Sequence, residues 1–470
     1  MENRGLIAPL AQTRPTRLPL GPDDRSWQGG DMRSRTIPIT VKNALHDDAP
    51  SLLTRGYGFG DRIWRRVREG ARSAPMRLLG SQAVFVRGAA GVELFYDSTR
   101  IARHGAMPAI VQETLFGHRS VHSLDGAEHR HRKATFVDVA YEDAQVARLS
   151  PLLEREWRIE LDAWVGGGNR SAYDAAVGAF GRSVMRWAGL PGTPGAQTRW
   201  AARLAQIVDG FGAPYSPALL LALVNRAWSD RHAQRLIEAV RIGSLTAPEG
   251  TALRAWAAHL DEHGQVLPAR LAGVELQNSL RPMIAVARFV AFAAKALHEH
   301  PSWRSRIADE TSERDSLVGG PLATAFAQEI RRTAPFVPML PGWALTDVEL
   351  DGVSVPAGGR VVLDILGTNT DAHSWHRHAE FNPDRFIGVE DYEAIEEFIP
   401  HGGAGVATGH RCPGEKLAIA GLATAIAALS DPRVRILPTG LGVNRRRLPT
   451  KPASGGIVRA PGAPSRCPFH

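Results

Sequence analysis

Two stretches of this chain carry residue types that could do chemistry together. The first, His401-Gly402-Gly403-Ala404-Gly405-Val406-Ala407-Thr408-Gly409-His410-Arg411-Cys412-Pro413-Gly414-Glu415, delivers one cysteine from a glycine-rich loop into the helical pattern Leu417-Ala418-Ile419-Ala420-Gly421-Leu422. Pro413 suits the first helical position, where a missing N–H costs nothing, and Glu415 sits where a helix N-terminus favours negative charge. A sulfur at that place is expected to feel the helix dipole and nearby amides, which lower its pKa and keep it a thiolate. A thiolate held rigidly under a flat, bulky ligand is what an axial haem sulfur requires. The second stretch is Arg281-Pro282, inside the helical run 274–286. Proline there removes a backbone bond and kinks a helix, at about 3 kcal/mol.

Rival chemistries for the cysteine loop lack support. A phosphate-binding glycine loop needs a strand before it and an acid about twenty residues after it. Pro400 interrupts the only candidate strand, Glu397-Phe398-Ile399, and Asp431, the next acid past the helix, adds nothing. A structural zinc site needs more thiols than Cys412 and Cys467 provide, and neither the papain nor the caspase signature surrounds Cys412. On the loop alone, haem ligation and a plain buried cysteine both stand. Arg281 also has a plain reading: Arg288 and Lys295 follow it at seven-residue steps and would make one solvated basic stripe. A kink gains nothing in such a surface helix, which counts against the stripe.

A helical frame must position these residues. Residues 154–165, 174–190, 231–246 and 274–298 carry enough apolar positions for packed helices. Strand signals are short: Ala83-Val84-Phe85-Val86, and Val353-Ser354-Val355 joined through Pro356-Ala357-Gly358-Gly359 to Val361-Val362-Leu363-Asp364-Ile365 as a hairpin. Without repeats or linker composition, this predicts one large, mainly α body with small β-sheets. Its 470 residues, 44% hydrophobic, suffice for a sizeable core. Two cysteines make no disulfide framework, which fits a reducing cytoplasm and leaves Cys467 as a free thiol on a frayed tail. The net charge of +8 is spread along the chain with no nucleic-acid signature. No apolar stretch reaches the roughly 18 uncharged residues of a transmembrane helix. Residues 1–38 lack the apolar run of a secretory signal and read as a disordered extension.

From about Ile37 onward the chain resembles the cytochrome P-450 family of haem-thiolate enzymes. Glu329-Ile330-Arg331-Arg332 matches the family's Glu-x-x-Arg pair, and Phe381-Asn382-Pro383-Asp384-Arg385-Phe386 its Pro-x-Arg-Phe element, with the hairpin and Trp375 between them in order. One departure is Gly405, where ordinary members place a phenylalanine seven residues before the ligand. A branch of fatty-acid peroxygenases is similar here: its glycine-rich loop ends in Gly-His-Arg-Cys-Pro-Gly, and it shares the Arg281-Pro282 pair and a segment like Ala296-Leu297-His298-Glu299-His300-Pro301.

The resemblance implies a P-450 fold over residues 39–470, with haem b between the cysteine loop and a kinked distal helix. It implies Cys412 as iron ligand, Gly403 and Arg411 in the haem-binding loop, and His129 and Lys133, one turn apart, as propionate partners. No adjacent acid–alcohol pair exists on the distal helix to relay protons; Glu275 and Ser279, four residues apart, are the nearest approximation. Arg281 is instead expected to hold a fatty-acid carboxylate bidentately, with Pro282 shaping the helix and Phe116 and Phe336 touching the acyl chain. That carboxylate would serve as the missing general acid–base for hydrogen peroxide, needing no redox partner. Cα and Cβ lie nearest the oxidant in such a pose, so the products are hydroxy acids, terminal alkenes after loss of carbon dioxide, or both. His122 is expected in the pocket near the carboxylate. The alternatives are a reductase-dependent monooxygenase with an unusual distal helix, and a non-catalytic haem sensor or lipid carrier.

Overall fold

A computed structural model describes residues 47–211 and 216–462. The expected N-terminal extension, residues 1–38, and Cys467 lie outside the described residues. Long helices form the body, and local chemistry sets several of their starts. The side chains of Ser171, Thr193, Ser216 and Thr251 each accept a hydrogen bond from a first-turn amide, and Pro194 and Pro217 follow two of these caps. The proximal helix, Glu415–Ser430, is apolar on nearly every side and buried along most of its length, the pattern of a core helix.

The run 274–298, expected as one helix, is two: the distal helix Ala269–Ala285 and its continuation Ala287–Glu299. Pro282 cannot donate to the Asn278 carbonyl. The chain resets at Val286, whose N–H is shared between the Pro282 and Met283 carbonyls at 3.2 Å each. Met283 then reaches the proximal helix, where its methyl group fills the space a side chain at Gly421 would occupy.

A five-stranded sheet has the order β1 (Ser73–Leu78), β2 (Ser81–Val86), β7 (Arg360–Asp364), β4 (Met339–Ala344), β3 (Ile101–Ala102), with only β2 and β7 parallel. The hairpin expected from Val353–Val355 to residues 361–365 does not form. Strand β6 (Val353–Val355) pairs instead with β5 (Val348–Leu350), across Asp351-Gly352. Both turn residues have positive φ, 51° and 78°, the geometry of a two-residue hairpin turn. The link 356–359 carries the chain out of that pair into the larger sheet.

The Glu329–Arg332 pair lies in the core, fully buried and bidentate at 2.7 Å on both arms. Arg385 Nε approaches the same carboxylate at 3.4 Å, and Arg332 also donates to the carbonyls of Asn369, His378 and Glu380 at 3.2 Å. Asn369 Oδ1 in turn accepts from Ile399 N at 2.8 Å. This network holds the segment that feeds the cysteine loop.

Candidate active site

Cys412 is half-buried and lines a cavity of about 280 Å³ between the proximal loop and the distal helix. The loop is fixed by Cys412 N donating to His401 O at 3.1 Å and by Lys133 Nζ donating to the Gly409 and Arg411 carbonyls at 3.0 and 2.5 Å. Gly403 is pressed against the sheet side of the core, where a Cβ would come within 2.8 Å of Val92 Cγ1. The expanded part, Ala404 and Gly405, bulges to the surface.

Two expectations for the loop need correction. The helix starts at Glu415 with Gly414 as N-cap, while Pro413 occupies a turn closed by Glu415 N to Cys412 O at 3.3 Å. Proline at the second position of a tight turn is as favourable as at a helix start. The sulfur therefore sits ahead of the helix, and burial pushes the Cys412 thiol up, with Glu415 adding to the rise. The Gly414 N–H, Lys133 and Arg331 oppose this without reversing it. Protein groups alone do not keep this sulfur ionised; a coordinated metal does so outright.

Glu415 is the hub below the cysteine. Arg331 pairs with it directly, Arg411 Nε donates to it at 2.7 Å, and together with His401 they hold its carboxyl below the ordinary range despite burial. Arg411 thus borders the cavity while its guanidinium is engaged by Glu415.

One edge of the cavity is cationic. Arg103, His129, Lys133 and His410 line it, the His129 and His410 rings stacked at 4.0 Å. Burial takes Lys133 down to about 8 and, with His410 and Lys133, His129 down to about 3, so at neutral pH Lys133 is mostly charged and His129 neutral. Arg103 Nη1 is buried without a hydrogen-bond partner. An apolar slot above a lone thiol, with an unmet arginine and a lysine at its rim, fits a flat group bearing two carboxylates, and haem b is such a group. Among the described residues no three His, Cys, Asp or Glu side chains cluster to hold a metal otherwise. Sequence reading missed Arg103, which belongs to no motif and reaches the rim only through the tertiary fold.

On the distal side Phe116, His122, Asn278, Ser279, Pro282 and Met283 face the cavity. Arg281 is 3% exposed, set just behind this wall. Its Nη2 donates to Asn278 Oδ1 at 2.6 Å, its Nη1 has no partner, and its guanidinium lies 5.9 Å from the Phe116 ring centroid. Burial, followed by repulsion from Arg226, takes it down to about 9, still cationic at neutral pH. Asn278 Nδ2 is held by Glu275 Oε2 at 2.9 Å and the Phe116 carbonyl at 3.1 Å. Glu275 also accepts from Val121 N at 2.7 Å, tying the helix to the turn that carries His122. Sequence reading missed Asn278, whose one signal is its three-residue spacing from Arg281.

His122 stacks on Phe116 at 4.0 Å, and burial with Arg281 holds it well below its ordinary pKa, so it is neutral. Ser279 gives its hydroxyl to the Glu275 backbone carbonyl and takes the Trp256 indole N–H, so Glu275 and Ser279 form no side-chain pair. Phe336 packs on Phe289 at 5.4 Å and is not among the residues lining the cavity. The solvated stripe is also ruled out: Arg288 is 2% exposed and ion-paired with Asp209, leaving only Lys295 near solvent.

The description of the cytochrome P450 family matches residues 306–429. Cytochrome P450SP alpha (CYP152B1), solved in complex with (R)-ibuprophen, aligns with a TM-score of 0.80 at 36% identity, covering 88% of this chain and 98% of that one. A variant of cytochrome P450 OleT in complex with arachidonic acid aligns with a TM-score of 0.80 at 28% identity, covering 88% and 96%. Among curated proteins, 2-hydroxyisoflavanone synthase of Glycyrrhiza uralensis is 28% identical over 136 residues, 27% of this chain, so the match spans only 24% of that relative's length. A buried proximal cysteine, the Glu329–Arg332–Arg385 network and near-complete coverage of a 36% identical relative lead to one conclusion: the chain belongs to the cytochrome P450 family of haem-thiolate proteins.

Proposed function

We propose that the protein is a peroxygenase that uses hydrogen peroxide to oxidise long-chain fatty acids at Cα and Cβ, giving hydroxy acids, terminal alkenes by loss of carbon dioxide, or both. The observation that carries this reading is Arg281. Three buried arginines share the distal side: Arg226 is paired with Asp230, and Arg132 with Glu128 and Glu275. Among the described residues Arg281 has only the neutral Asn278 and a free Nη1. A buried guanidinium left one anion short invites a carboxylate, and charge-assisted bonds of this kind contribute about 1.5–3 kcal/mol each. Arachidonic acid and ibuprofen, the ligands of the two solved relatives, are both carboxylic acids, which supports the reading.

Cys412 would hold haem b, with Arg103 and Lys133 at its carboxylate edge, and the bound iron supplies the centre at which peroxide is activated. Arg281 fixes the substrate's head group at the distal wall, so Cα and Cβ are the carbons nearest that centre. The acyl chain lies against apolar side chains including Phe116, at about 0.8 kcal/mol per buried methylene. The held carboxylate accepts and returns the proton that peroxide must shift. Glu275 is unavailable for that task, being tied to Val121, Arg132 and Asn278. His122, neutral and facing the same space, offers one hydrogen bond to the carboxylate or the peroxide. The test is turnover of a saturated long-chain acid with peroxide as sole co-substrate. Activity that ignores peroxide and requires an electron-transfer partner would defeat the reading in favour of a reductase-dependent monooxygenase.

A further inference from the structure

The helix Pro217–Arg241 buries Ala222, Asn225, Arg226, Ser229, Ala233 and Ile237 as it packs between the distal helix and the helix Pro194–Gly210, Asn225 and Ser229 bonding to the latter. Its outer face is unusual for a surface helix. Leu220 is 69% exposed, Val224 63%, Leu221 46% and Trp228 37%. Leu220, Val224 and Trp228 are one turn apart, and Arg231 and Arg235, both exposed, continue the same stripe. From Leu220 to Arg235 the stripe runs about 22 Å along the helix axis. It passes from aliphatic through aromatic to cationic.

The neighbouring helix Pro194–Gly210 extends the cationic part. Arg203 lays its guanidinium over the Trp228 ring at 4.6 Å, and Arg199, one turn earlier, is exposed. Among the described residues no acid pairs with these four arginines. Asp209 is taken by Arg288, Asp230 points inward to Arg226 and Gln277, and Glu238 lies beyond Arg235, bonded to Gln234.

We propose that this face adsorbs the enzyme to the surface of an anionic phospholipid bilayer. Leu220, Leu221 and Val224 enter the boundary between head groups and acyl chains, Trp228 lies at that boundary, and the four arginines meet lipid phosphates. Among the described residues no helix is long and apolar enough to cross a membrane, so the contact is adsorption. A second copy of the chain is the competing occupant. Two-fold pairing through this face would set arginines against arginines when parallel, or against Leu220 and Val224 when antiparallel, with no paired carboxylate among the described residues to offset them, whereas lipid phosphate supplies the missing charge. The proposal stands apart from the substrate reading and can fail without it.

The test is flotation of the haem-loaded full chain with vesicles of phosphatidylcholine alone or mixed with phosphatidylglycerol, at low and high salt. The wild type binds the anionic vesicles and releases them as salt rises. Arg231→Gln with Arg235→Gln weakens that binding about thirtyfold. Leu220→Ser with Val224→Ser abolishes it even at low salt, and both double variants keep the haem-thiolate spectrum and turnover of dissolved acid. No binding of anionic vesicles by the wild type, or equal binding by all three proteins, overturns the proposal. So does a dimer in sedimentation velocity that Leu220→Ser with Val224→Ser abolishes, which would assign the face to a second copy.

Discussion

Replacing Arg281 by methionine should separate function from stability, because the structure holds this cation at a cost. Burial and the nearby Arg226 bring its pKa down from the ordinary arginine value to about 9. At about 1.4 kcal/mol per unit, this is roughly 4–5 kcal/mol against the charged form at neutral pH. Methionine keeps the apolar stem and removes the charge, but it leaves Asn278 Oδ1 without its donor, a loss of about 1–2 kcal/mol. The ligand-free protein should therefore gain about 2–4 kcal/mol and melt a few degrees higher. The same change removes the carboxylate anchor. Truncating one partner of a buried charge pair costs about 2–5 kcal/mol, so kcat/KM for a fatty acid should fall about thirtyfold or more. The assays are a thermal melt without fatty acid and steady-state kinetics with peroxide. A lower melting temperature with kcat/KM within about threefold of wild type would refute the reasoning. It would mean that Arg281 is satisfied at rest and the carboxylate is held elsewhere.

Three further outcomes follow from the same geometry. Asn278→Asp gives Arg281 a built-in anion but sets a second carboxylate against Glu275 and the Phe116 carbonyl, so no gain in melting temperature is expected, while fatty-acid affinity, read by spectral titration, drops about tenfold or more; unchanged affinity would detach Arg281 from the carboxylate site. His122→Gln should alter the rate or the ratio of hydroxy acid to alkene, and identical product profiles by mass spectrometry would return His122 to a packing role. His401 is held at about 3 rather than 6.5 by burial and Arg331. The unfolded chain takes up that proton near 6.5 and the folded chain only near 3, so stability present above 6.5 is lost as pH falls across that window, by up to about 1.4 kcal/mol per unit. His401→Asn should flatten that limb of a melting temperature–pH profile, and an unchanged limb would place the acid sensitivity in other groups.

What was legible in the sequence was what local chemistry or a fixed spacing encodes. The cysteine loop, the Glu329–Arg332 pair and the Arg281-Pro282 interruption are contiguous, and each marks its own place. Features decided by competition between nearby options were harder. Proline at 413 served a turn as well as a helix start, and the strong Asp351-Gly352 turn took the partner that the 353–365 reading had assigned elsewhere. Arg288 looked like a surface residue by periodicity, but its partner Asp209 lies 79 residues away and only the fold brings them together. Arg103 and the Asn278–Glu275–Val121 chain were invisible for the same reason: their meaning depends on a cavity that exists only after the cysteine loop and the distal helix close on each other.

The most direct measurement is product analysis by mass spectrometry for a saturated long-chain acid and its methyl ester, each given hydrogen peroxide and enzyme with a sulfur-ligated haem spectrum. With the head group anchored by Arg281, the acid should yield Cα- or Cβ-hydroxy acids or an alkene one carbon shorter, and the ester almost nothing. Oxidation near the far end of the chain, or an ester consumed as readily as the acid, would contradict the account.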